Sequence, residues 1–154
     1  MVYAVTVDTA SLTPEASAKE TLLDVGRGLI YRMEILFPPG PLGLLHCQVF
    51  DGNYQLFPAS VGASFHSNNE VIGFDDLYLK QSAPWQLKIK TWNDDDTYDH
   101  ELQVRVGLAS EKAFMSRFMP SISWDKFAEV LKETEKSQEN EKQGRVQAFF
   151  ESLK

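Results

Sequence analysis

Apolar and polar residues alternate along much of this chain, most clearly between residues 84 and 108. Trp85, Leu87, Ile89 and Thr91 alternate with Gln86, Lys88 and Lys90, and Leu102, Val104, Val106 and Leu108 alternate with Glu101, Gln103, Arg105 and Gly107. A period of two places each apolar set on one face of a strand. The polar, aspartate-rich link between the two runs predicts an antiparallel hairpin with one dry face. That face, Trp85 included, needs a second sheet to cover it.

The same alternation predicts strands over residues 2–7, 20–25, 29–37, 44–50, 54–57, 70–74 and 77–80. In 29–37, Tyr31, Met33, Ile35 and Phe37 form the inward set, and Ile30 and Leu36 face outward with Arg32 and Glu34. Pro38-Pro39-Gly40-Pro41 ends that strand, because three prolines remove three backbone donors and fix φ. Asp51-Gly52 marks a hairpin turn. Eight or nine short strands over roughly 108 residues, with turn signals about every 8–12 residues, predict a mainly β, antiparallel two-sheet sandwich or a barrel. A sandwich of jelly-roll type is preferred, because several connections are long enough to cross between sheets. An immunoglobulin-like sandwich lacks its Cys…Trp…Cys pattern here.

Beyond Leu108 the period changes. Residues 111–119 read as a helix stopped by Pro120, and Ser123 can cap a second helix starting at Trp124. Residues 132–144 are almost wholly charged or polar, either a solvated helix or a loose tether. Val146, Phe149, Phe150 and Leu153 then fall at i, i+3, i+4 and i+7, a compact apolar stripe. The expected organisation is a β-sandwich over 1–109 and a helical C-terminal extension over 110–154, with a polar tether and a terminal amphipathic segment. The stripe either folds back over the outer face near Ile30 and Leu36 or docks on a neighbouring subunit. The polar segment before it favours docking.

Composition narrows the function classes. A net charge of −7 and a pI near 4.9 repel phosphate backbones and anionic lipid, which argues against nucleic-acid and membrane partners. The single cysteine, Cys47, lies in an apolar run and reads as a small buried hydrophobe. No apolar run approaches the ~20 residues of a membrane span. The first residues lack a basic-then-apolar leader, so synthesis and folding in a reducing cytoplasm, without a secretory signal, are expected.

Candidate chemistry is sparse. Asp94, Asp95, Asp96 and Asp99 supply oxygens that suit calcium, but the run lacks the glycine and glutamate of an EF-hand loop, so a solvated hairpin tip is the simpler reading. His46, His66 and His100 are scattered, with no closely spaced histidine pair of the kind cupin enzymes use. Nucleophile-elbow, P-loop, dinucleotide and zinc-protease motifs are absent from the sequence, so no catalytic residue and no cofactor is assigned. Trp92, on the outward face, is a candidate contact for a ligand or a subunit. With Tyr98 and the acidic run it keeps a carbohydrate-binding module, calcium-dependent or not, as the alternative function. A small cupin-like enzyme is a third.

Phe37-Pro38-Pro39-Gly40, Gly43-Leu44, Gln55-Leu56-Phe57-Pro58 and Thr91-Trp92-Asn93-Asp94-Asp95 ending at His100 resemble small β-sandwich structural proteins of tailed bacteriophages, over about residues 2–108. The resemblance implies a non-enzymatic virion part, assembled in the host cytoplasm: a capsid decoration protein or another head- or tail-associated subunit. It carries no catalytic residues. Its expected partners are copies of itself, a trimer being the expected form, and other virion proteins such as the major capsid protein. The candidate partner-binding residues are Val146, Phe149, Phe150, Leu153, Ile30, Leu36 and Trp92.

Overall fold

The computed structural model describes residues 1–118 and 124–152, with the side chains at 111, 115, 117–118, 124–125, 127 and 146–152 excepted. The chain divides into two compact units, Met1–Ala109 and Ser110–Lys154. The first unit holds nine described strands: β1 (Val2–Thr9), β2 (Lys19–Asp24), β3 (Gly28–Phe37), β4 (Leu45–Asp51), β5 (Tyr54–Phe57), β6 (Phe65–His66), β7 (Glu70–Lys80), β8 (Gln86–Asn93) and β9 (His100–Ala109).

One sheet has the order β1-β9-β3-β7 and the other β2-β8-β4-β5, with the short β6 also paired to β4. Every pairing is antiparallel. With β6 set aside, successive strands change sheet at every connection except the β4–β5 hairpin, where Gly52 takes the positive φ (60°) that the tight turn requires. This is the jelly-roll order, as the alternation and the long connections predict.

The core lies between the sheets. Leu102, Val104, Val106 and Leu108 of β9 are fully buried, and so are Leu87, Ile89 and Thr91 of β8 and Leu45, Cys47 and Val49 of β4. Burial pushes the Cys47 thiol up to about 12, so it stays protonated and inert. Polar side chains inside are paired across the layers. Thr9 of one sheet and Thr91 of the other share a hydrogen bond of 2.8 Å. At another edge Lys80 Nζ of β7 lies 2.5 Å from Asp51 Oδ1 at the end of β4, and Tyr78 donates to Asp51 Oδ2 at 2.6 Å.

Three strand-level expectations are corrected. Ile30 is fully buried in the core rather than outward. The register of β3 shifts between Ile30 and Arg32 against both neighbours, and a bulge reverses which face each residue takes. The inward set is therefore Ile30, Met33, Ile35 and Phe37. Residues 70–74 and 77–80 are one strand, β7: the same irregularity absorbs Asp76 and Leu77, and Asp75 pairs with Arg32 at 2.9 Å instead of turning the chain. Trp85 precedes β8 and is exposed, although its carbonyl accepts a hydrogen bond from Val25 N–H.

In the second unit α1 spans Glu111–Phe118 and α2 spans Trp124–Ser152. Ser110 caps α1, its hydroxyl accepting from Ala113 N–H. The polar residues 132–144 belong to α2, so of the two readings the solvated helix is the observed one. Lysine, glutamate and glutamine carry good helix propensity, and the 29 residues of α2 extend for about 43 Å at about 1.5 Å each.

The bulge assigns different energies to Ile30 and Leu36. We expect Ile30→Ala to cost about 2–5 kcal/mol of unfolding free energy, and Leu36→Ala no more than about 1.5 kcal/mol. Urea denaturation followed by tryptophan fluorescence measures both.

Candidate functional site

Four loops meet at one end of the sandwich, and hydrogen bonds tie them into a single surface. In the acidic loop Asn93, fully buried, donates to the carbonyls of Thr9 and Tyr98 and accepts from Asp95 N–H. Asp95 Oδ1 accepts from Thr97 N–H and Tyr98 N–H, and its Oδ2 lies 2.8 Å from His100 Nε2. The first loop docks on this one: Leu12 N–H donates to Asp95 O and Ser11 N–H to Asp99 Oδ1. The proline loop joins from the other side, where Leu44 O accepts from Asp94 N–H. Asn68 closes the ring, its Oδ1 accepting from Gly40 N–H and Leu42 N–H.

This end exposes apolar side chains. Leu12 is 68 % exposed, Leu42 75 % and Tyr98 67 %. Leu12 and Leu42 also hold φ at 53° and 50°. A leucine in the left-handed region costs about 1–3 kcal/mol, where glycine would cost little. Both residues therefore combine an unfavourable backbone with an unfavourable exposure. The hydrogen bonds to Asp95 and Asn68 hold them there, a pattern characteristic of binding loops.

Beneath the loops His46 is a strut. Its ring stacks on Trp92 at 4.8 Å and meets His66 at 5.1 Å. Nδ1 lies 2.9 Å from Ser64 Oγ, and Nε2 lies 3.3 Å from Asp94 Oδ2. Burial pushes the imidazole below its ordinary value against the opposing pull of Asp94. The order hydroxyl–imidazole–carboxylate resembles the chain used in acyl transfer. Here it joins β4, the loop before β6 and the acidic loop, and it holds them in register.

The sequence-predicted residues distribute as follows. Trp92 lies on the outer face of its sheet but is only 5 % exposed, because His46 covers it, so it is no free contact. Ile30 is core, which removes it from any partner surface. Leu36 is half-buried on the outer face of its sheet, between Gln103 and Val71. Val146, Phe149 and Phe150 lie in α2, with side chains outside the description, and Leu153 lies outside the described residues. Asp94, Asp95, Asp96 and Asp99 do not converge: they engage His46, His100, Thr97 and Ser11 respectively. Among the described residues no three His, Cys, Asp or Glu side chains gather as metal ligands would. Sequence reading missed Leu12 and Leu42. Their signal was an apolar residue placed in a turn-rich segment with no strand to bury it.

No protein-family model, curated protein or solved structure matches this chain.

The Thr97 N–H first, then His100 and the Tyr98 N–H, hold the Asp95 carboxyl below the usual carboxylate range. A depressed carboxylate contributes stability above its unfolded pKa of about 3.9 and loses it as pH falls through the folded value. Asp95→Asn is therefore expected to flatten the decline in melting temperature below about pH 4, measured by calorimetry against the unmodified chain.

Proposed function

We propose that this protein is a non-enzymatic structural subunit of a bacteriophage particle. It acts through self-association and contacts to neighbouring virion proteins, as a capsid decoration protein or another head- or tail-associated part. The observation that carries this reading is the loop end, where two exposed leucines are held at positive φ by hydrogen bonds to Asp95 and Asn68. A partner that covers Leu12 and Leu42 recovers the exposure cost, at about 25 cal/mol per Å² of apolar area buried. Three further features support it: the jelly-roll order, an architecture common in viral shells; the net charge of −7, which favours solubility before assembly; and the resemblance over residues 2–108. Among the described residues no helix is long and apolar enough to cross a membrane.

One observation favours the alternative, a carbohydrate-binding module: Tyr98 presents an exposed ring beside the acidic loop, and such rings stack on sugars. Trp92, under His46, does not join it. Binding on a glycan array that is lost in Tyr98→Ala would favour this reading over the first.

Assembly supplies the direct test. Replacing Leu12 and Leu42 together by glycine is expected to cost no more than about 1 kcal/mol of stability, because relief of strain offsets added chain entropy. Incorporation into particles should fall at least tenfold. Equal incorporation would show that the loop end makes no assembly contact. Deleting residues 146–154 is expected to weaken assembly as judged by light scattering and to leave the β-unit's melting nearly unchanged. Unfolding of the β-unit on deletion would assign the terminal stripe to the core instead.

A further inference from the structure

Lys80 is the only fully buried ammonium among the described residues, at 1 % exposure. Burying a charge this way costs several kcal/mol before pairing, and an apolar residue of similar size would generally do as well for stability. The surroundings are specific. Asp51 Oδ1 lies 2.5 Å from Lys80 Nζ, and the Tyr78 hydroxyl donates to the other carboxylate oxygen at 2.6 Å. Asp51 ends β4 in one sheet, while Tyr78 and Lys80 end β7 in the other. Amine, carboxyl and a fixed hydrogen-bond donor thus meet in a place with little water, held there by two packed sheets.

We propose that Lys80 and Asp51 condense to a side-chain amide, an isopeptide bond that joins the two sheets covalently. One proton of the ammonium passes to Asp51 Oδ1, which it already contacts. The freed Nζ lone pair attacks Cγ and forms the C–N bond. Negative charge develops on Oδ2, where the Tyr78 hydroxyl donates; burial, first, and Asp51 push that phenol well up, so it remains a donor. The tetrahedral carbon then expels Oδ1 as water, which carries away two of the three ammonium protons, and the third stays on the amide nitrogen. Ammonium plus carboxylate gives amide plus water, so no oxidant, reductant or cofactor is required. Fixed proximity replaces the activation that a free amine and acid would need. Exclusion of water opposes the reverse hydrolysis. This inference does not depend on the virion reading.

Intact-mass spectrometry of the purified full chain tests it. The expected result is a mass one water below that of the sequence, with a proteolytic peptide in which the segment containing Asp51 is linked to the segment containing Lys80. Lys80→Arg should restore the full mass, and Tyr78→Phe, which keeps the ion pair, should slow the loss of water. A full sequence mass with no linked peptide after prolonged incubation would leave an ion pair only and overturn the proposal. So would a water loss that persists in Lys80→Arg, because Asp51-Gly52 can close to a cyclic imide of the same mass.

Discussion

Burial of one face of every strand between two sheets is the constraint on which the β-unit depends. The inward residues of β9, β8, β4 and β3 are fully or almost fully buried, and each large aliphatic side chain contributes about 1.5–3 kcal/mol when it leaves water. No strand of this length holds such a face alone. Once the layers close, polar groups caught between them must pair with one another, as Thr9 does with Thr91 and Lys80 with Asp51. The connections are forced to the ends, where their backbone groups can be satisfied by loop-to-loop hydrogen bonds.

This division separates the sandwich body from its loop end. On the body some polar side chains pair with one another, while Val2, Leu22, Val71 and Leu77 are exposed. On one sheet Arg32 bridges Glu34 and Asp75. On the other, Gln55 donates to three carbonyls of the loop after β5 and accepts from Gly62 N–H. The loop end differs. Its buried side chains, Asn93 and His100, are committed to shaping it, while Leu12 and Leu42 stand exposed at positive φ beside the exposed Asp94, Asp96 and Asp99. A scaffold that holds loops in an unfavourable shape is the arrangement that the proposed partner contact calls for.

Much of the architecture was legible because period-two alternation reports burial directly. The inward sets of β8 and β9 follow it, and the long connections pointed to the jelly-roll order. What was not legible depends on interactions distant in sequence. The bulge that turns Ile30 inward is fixed by the paired strands β7 and β9, not by local composition. Asp75-Asp76 resembles a turn until Arg32 is seen opposite Asp75. Trp92 was correctly placed on an outer face, but its cover, His46, is 46 residues away in sequence on the paired strand β4, a coincidence of numbering and of register. The continuous α2 was undecided because helix propensity in a polar segment carries no tertiary signal. Of the candidate site, the acidic loop and its histidine could be named. The exposed leucines could not, because hydrophobicity in a loop has meaning only once the loop's surroundings are known.

The proposed role requires the loop end to be covered in the assembled state. Electron cryo-microscopy of particles produced from the genome that encodes this chain tests that most directly. Density for the sandwich at symmetric positions, with Leu12 and Leu42 seated against a neighbouring subunit, is the expected result. Particles that lack the chain, or that carry it with those leucines facing solvent, would contradict it.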